Sequence, residues 1–169
     1  MKTLFIGSVK SGKSRLAETF VLQTLPRYAD KPYYLATSEL LDEEMKQRVV
    51  LSQQRREDRF ITLEEPLKLM ASLKKCHNTT VLVASVSMWL NNMLHYPFTE
   101  ARILQELEAV LLLPKDIVLV HNEVGLGVIP DNDLARQFVD LSGKAAQLMG
   151  QHCDKVFFCS AGLMLTLKS

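Results

Sequence analysis

Neither sign of charge dominates this chain: 20 Lys and Arg stand against 19 Asp and Glu, for a formal net charge of +1. A basic stripe for nucleic acid or for an anionic membrane surface is therefore not expected. Long hydrophobic runs are missing as well, and none approaches the roughly 18 residues that a membrane-spanning helix needs. Cysteine is scarce: Cys76, Cys153 and Cys159 form an odd set without C-x-x-C spacing. That pattern fits reduced thiols in a cytosolic setting rather than a disulfide framework. Repeats, low-complexity tracts and linker-like segments are absent. Met1 leads straight into the first predicted strand, with no charged n-region and cleavage site, so no signal peptide and a cytoplasmic location are expected. What remains is 169 residues, 47% hydrophobic and 23% charged. This suits one domain over residues 1–169, large enough to bury about two-thirds of its unfolded surface.

One stretch stands out. Gly7-Ser8-Val9-Lys10-Ser11-Gly12-Lys13-Ser14 fits G-x-x-x-x-G-K-[ST], follows the apolar run Thr3–Ile6 and precedes a helical pattern, Arg15–Leu25. A strand, a glycine-bearing loop and a helix in that order make a phosphate site. Successive backbone N–H groups form a concave nest, and the helix N-terminus adds partial positive charge. In this reading Gly7 to Ser14 bind the nucleotide. Lys13 reaches the β- and γ-phosphates of ATP or GTP, and the Ser14 hydroxyl is a ligand of Mg²⁺.

The rest of the chain alternates strands and helices. Tyr33–Ala36, Phe60–Leu63, Thr79–Ala84, Asp116–Val120, Lys155–Cys159 and Leu163–Leu167 read as strands. Helices are expected from Ser38 through Leu51, from Pro66 to Leu73, and over Val86–Leu94, Glu100–Leu113 and Asp133–Gly150. Continuous apolar strands between helices predict an α/β, P-loop NTPase-like (RecA-like) fold. Its sheet would be mostly parallel, with helices on both faces and a C-terminal strand pair around Ala161-Gly162. Ligands of such sheets bind at the carboxyl ends of the strands. The loops there begin at Gly7, Thr37, Ala84 and His121, so Thr37 and Ser38 join the nucleotide-binding candidates, and Glu123 and His121 join Lys13 as catalytic candidates.

With those loops in view, the chain resembles the bifunctional adenosylcobinamide kinase/adenosylcobinamide-phosphate guanylyltransferase family of cobalamin biosynthesis over nearly its whole length. The likeness rests on Gly7–Ser14 with Arg15-Leu-Ala-Glu18, then Tyr34–Ser38 with Asp42–Met45 and Arg48, then Thr62–Leu67, then Trp89–Asn92. Most specific is Asn122–Pro130 with Arg136, Phe138, Asp140 and Gly143. The resemblance implies phosphoryl transfer from ATP or GTP to a corrinoid, a second transfer of GMP, and a possible homotrimer. Six positions depart from the family pattern, among them Lys10 in place of a usual arginine and Ser85 in place of a usual cysteine. The guanylylated histidine falls on Ser52, the acid ending the middle strand on Ala84, an arginine on Val139 and an asparagine on Ala146. A serine hydroxyl does not replace an imidazole that is nucleophilic near neutral pH. Phosphoryl transfer is thus better supported than GMP transfer. The alternatives are a P-loop protein with impaired catalysis and a regulatory or assembly role, or a kinase for another small molecule.

Several residues admit two readings. His121 either takes part in catalysis or hydrogen-bonds near nucleotide or substrate, whereas His77, His95 and His152 have no site-side role. Glu123 acts as a general base or metal-water partner, or braces its own loop through backbone N–H groups. Arg55 and Arg56 steady phosphates or stay solvated. Trp89 belongs to the core, and Asp42 and Glu43 complement a helix dipole.

Overall fold

The structure, a computed structural model, describes residues 1–26, 29–38, 50, 54, 57–77 and 79–169. The expected helix after Ser38, with Asp42, Glu43, Arg48 and Ser52, lies outside the described residues, as do Arg55 and Arg56.

The described chain runs β1 (Lys2–Gly7), α1 (Lys13–Thr24), β2 (Tyr33–Ala36), a 3₁₀ turn (Glu57–Arg59), β3 (Ile61–Glu64), α2 (Leu69–Lys75), β4 (Val81–Ala84) and α3 (Val86–Leu94). It continues with α4 (Glu100–Leu111), β5 (Ile117–Asn122), α5 (Asp133–His152), β6 (Lys155–Ser160) and β7 (Leu163–Lys168). Several helix starts are written in the sequence. Ser85, Thr99 and Asn132 each accept a backbone N–H of the first turn, from Met88, Arg102 and Ala135. Such caps satisfy donors that the helix itself leaves open. Pro66 does not open its helix as expected. The Glu65 carboxylate accepts the N–H groups of Leu67 and Lys68, so the chain turns there and α2 begins at Leu69.

The strands form one sheet in the order β3-β2-β4-β5-β1-β6-β7. Every pairing is parallel except β6 with β7. Side chains alternate between the faces. Leu4, Ile6, Leu35, Val83 and Leu119 pack with Leu69, Trp89, Leu107, Ala145 and Met149 of α2 to α5. Phe5, Leu82, Val118, Val120 and Phe157 face the other way and meet Ala17 and Val21 of α1. Trp89 is core, with its indole N–H donated to the Leu67 carbonyl.

This topology positions the site. The chain leaves β1 through α1 on one face, and leaves β5 through α5 on the other, although β1 and β5 are neighbours. A crevice opens at the carboxyl ends of such a strand pair, where α/β sheets bind ligands.

Candidate active site

Gly7–Ser14 fills one wall of that crevice. Gly7 lies tight against β6: a Cβ there would sit 2.2 Å from the Cys159 carbonyl oxygen. Lys10 and Gly12 both have positive φ, 62° and 92°. Gly12 is the N-cap of α1 and offers no side chain to its first turn, so those N–H groups face the loop. Ser11 Oγ is buried without a hydrogen-bond partner among the described residues. An orphaned buried hydroxyl inside a loop of backbone donors matches the chemistry of an oxyanion.

The Lys13 ammonium is buried and donates to the Ser8 carbonyl at 3.0 Å. Burial pushes its pKa down, with Cys159 acting the other way. Ser14 sits in the first turn of α1 beside it. A Mg²⁺ ion bound to triphosphate needs few protein oxygens, because phosphates and water fill most of its shell. The Ser14 hydroxyl is an oxygen of the kind such an ion takes.

Glu123 directly follows β5, and its N–H donates to the Gly7 carbonyl at 2.9 Å, extending the β1–β5 ladder to the start of the phosphate loop. Its Oε1 accepts the Gly125 N–H at 2.7 Å. The carboxylate therefore braces its own loop through one of its two oxygens.

His121 requires a correction. It is not in the loop; β5 continues to Asn122 because His121 pairs with Ile6 and Asn122 with Gly7. Its side chain points into the helical layer and is 1% exposed. Nδ1 lies 3.1 Å from Ser87 Oγ and Nε2 lies 3.0 Å from Ser142 Oγ. Ser87 Oγ also accepts the Asn122 N–H. Burial pushes the imidazole down to about 4, a bond to the Ser142 backbone opposes this, and the Lys13 charge adds to it. The ring is neutral near pH 7, and both nitrogens are engaged. In this arrangement His121 ties α3, β5 and α5 together beneath the phosphate loop, with no free nitrogen for attack.

Thr37 requires another. It is fully buried, its hydroxyl donates to the Ser85 carbonyl at 2.7 Å, and it accepts the Ser85 N–H at 2.9 Å. Its carbonyl accepts from Asn92 Nδ2, which also donates to the Pro66 carbonyl. Thr37 thus locks the ends of β2, β3 and β4 together, and its one hydroxyl proton is already given to the Ser85 carbonyl rather than free for a phosphate. Ser38 follows it, partly exposed. His77 and His152 lie at the amino end of the sheet, near Lys115 and Glu108. His95 bonds the Asn91 carbonyl in its own helix. Among the described residues no cluster of three or more His, Cys, Asp or Glu could hold a metal unaided.

Residues 3–167 match the family model described as "Cobinamide kinase / cobinamide phosphate guanyltransferase". The chain belongs to this family. Among curated relatives, the bifunctional adenosylcobalamin biosynthesis protein CobP of Pseudomonas aeruginosa is 38% identical over 174 residues, covering 99% of this chain and 98% of its own length. The bifunctional adenosylcobalamin biosynthesis protein CobU of Escherichia coli is 29% identical over 186 residues, covering 99% and 100%. Among solved structures, the flagellar accessory protein FlaH of Methanocaldococcus jannaschii superposes with a TM-score of 0.52 at 14% identity, covering 99% of this chain and 77% of its own. A Pyrococcus horikoshii protein, PH0250, superposes at 0.57 with 11% identity, covering 99% and 86%. These two share the fold alone.

No local sequence pattern marks Ser87, Asn92 or Ser142 as supports of the site. Each is a small polar residue on a helix, and nothing local distinguishes it from a surface position. For Asn92 the signal was its place in the Trp89–Asn92 block.

Proposed function

We propose that this chain passes the γ-phosphoryl group of ATP or GTP to the aminopropanol hydroxyl of adenosylcobinamide. It acts as one nucleotide-binding unit over residues 1–169. The observation that carries this reading is the junction of the phosphate loop with Glu123, whose N–H bonds Gly7 while one carboxylate oxygen stays available. Phosphoryl transfer needs mainly positioning and charge neutralisation. The N–H groups of the loop hold the phosphates, Lys13 meets the β- and γ-oxygens, and Ser14 would hold a bound Mg²⁺ through its hydroxyl. Bound Mg²⁺ would supply further neutralisation of the phosphate oxygens. Glu123 accepts the proton of the attacking hydroxyl, or with Mg²⁺ bound would orient a water of its shell.

GMP transfer has weaker support in this chain. Ser52 replaces the family histidine, and the His121 nitrogens are both in use. A phosphoramidate needs a free imidazole nitrogen in line with the α-phosphorus. Incubation with adenosylcobinamide, ATP or GTP and Mg²⁺, followed by mass measurement of protein and corrinoid, is the test. The expected outcome is corrinoid heavier by one phosphate and protein of unchanged mass. An acid-labile GMP adduct on the protein would overturn the second part, and unmodified corrinoid with both nucleotides would overturn the first. Ala84, where the family carries an acid, favours a second reading as a nucleotide-binding protein without turnover; nucleotide binding with unmodified corrinoid would select it.

No helix among the described residues is long and apolar enough to cross a membrane. A cytoplasmic trimer without nucleic-acid partners completes the reading, with light scattering as the check on its mass.

A further inference from the structure

The last two strands do more than extend the sheet. β6 pairs with β1 so that Cys159 lies beside Gly7, and the tip of the β6–β7 hairpin therefore projects alongside the phosphate loop. That tip is the two-residue turn Ala161-Gly162, with φ of 52° and 77°. Positive φ at both central residues is the tight turn whose twist matches antiparallel strands. The Gly162 N–H donates to the Ser11 carbonyl at 2.9 Å. A Cβ on Gly12 would lie 2.9 Å from the Gly162 Cα, so loop and turn touch backbone to backbone.

This bond has a directional consequence. The Ser11 carbonyl and the Gly12 N–H belong to one trans peptide and point in opposite directions. Holding the carbonyl toward the hairpin aims the Gly12 N–H away from it. Phosphate nests work by such fixed orientation of successive amides, which then need no reorganisation when the anion arrives.

We propose that Gly162 is a positioning residue for the triphosphate: the hairpin tip is the outer wall of the phosphate loop, and its amide sets the orientation of the Ser11–Gly12 peptide. The inference rests on the nucleotide reading of Gly7–Ser14. β7 explains itself in these terms. All of its residues are exposed and β6 is its one strand partner, so it adds little to the core while closing the turn that meets the loop.

The test compares ATP and GTP, with Mg²⁺, against adenosine and guanosine by calorimetry. Gly162→Pro removes the N–H and forbids the positive φ. Its triphosphate affinity is expected to fall about tenfold, the equivalent of one lost hydrogen bond, while nucleoside affinity is kept. Gly162→Asn keeps the N–H and tolerates the left-handed conformation, so it should bind triphosphate to within about twofold of the wild type. A merely structural role would lower the thermal midpoint and leave the triphosphate-to-nucleoside ratio unchanged in the folded fraction. Wild-type affinity for triphosphate in Gly162→Pro, or equal losses for triphosphate and nucleoside, would overturn the proposal. Amide exchange on the wild-type protein gives a measurement that needs no variant: the Gly162 N–H should exchange more slowly when triphosphate is bound. Unchanged exchange at saturation overturns the proposal even where the proline variant does not fold. A wild type that prefers neither triphosphate over its nucleoside would instead remove the nucleotide reading itself, a separate failure from that of Gly162.

Discussion

The two ends of the sheet are built on opposite plans. At the amino end, cations and acids are consumed by the fold. The Lys2 ammonium donates to the Leu113 and Lys115 carbonyls, both at 2.7 Å, and its backbone N–H reaches Asp154. The Met1 amino group pairs with Asp116, and Lys115 donates to the Cys76 carbonyl. That Lys2 N–H holds the Asp154 carboxyl below its usual range. At the carboxyl end, the polar groups are held but not used up. Lys13 makes one bond to a backbone oxygen, Ser11 Oγ has none among the described residues, and Glu123 commits one oxygen of two. The loop that follows carries Leu126 and Val128 at 79% and 96% exposure. A buried cation with a single backbone partner is costly for folding alone and useful for binding an anion. The difference separates groups that serve stability from groups that serve the ligand.

The comparison can be broken by moving charges at either end. Lys13→Ala should show the largest effect. Loss of a charge-assisted contact to the phosphates is expected to cost about 3 kcal/mol, roughly a hundredfold in triphosphate affinity, with nucleoside affinity nearly unchanged and a thermal midpoint no lower than the wild type's. Equal calorimetric affinities for variant and wild type would contradict the assignment of the carboxyl end.

His121 sharpens the comparison through pH. Its folded pKa of about 4 lies below the ordinary 6.5, so the unfolded chain takes up the proton first. Its contribution is fully present above pH 6.5 and is lost progressively as the pH falls toward 4. The whole loss is on the order of 3 kcal/mol. His121→Asn, which cannot take up a proton, should flatten this part of the profile in urea titrations at pH 7.5 and 4.5. A slope identical to the wild type would place the acid sensitivity elsewhere.

Lys2→Met probes the amino end and should show the smallest effect. Two carbonyls lose their donor, which is expected to cost about 1–2 kcal/mol in stability. Triphosphate affinity should not change. A variant that loses nucleotide binding while remaining folded would erase the distinction between the ends.

Much of the fold was legible because its signals are local. Tyr33–Ala36 and Val86–Leu94 have the bounds that their apolar runs predict. The phosphate loop was legible for the same reason, since strand, glycines, Lys13 and the following helix are contiguous. What could not be read depends on partners distant in the chain. β5 runs past Val120 because β1 continues to pair with it, whatever the polarity of His121. Thr37 looks like a site residue until Ser85, 48 positions away, takes both of its hydrogen-bonding roles. Glu123 shows the intermediate case: its place was legible from the strand before it, and its bond to Gly7 was not.

The three cysteines have a practical consequence. All are buried and unpaired, and burial raises the thiol pKa of each, that of Cys153 to about 12. Thiolates are the species that alkylating dyes capture, so these three are silent toward such reagents in the folded protein. A single cysteine introduced at exposed Leu126 would then be a unique attachment point for a fluorophore. Distances from the crevice to a labelled ligand could be followed without first removing any native sulfur.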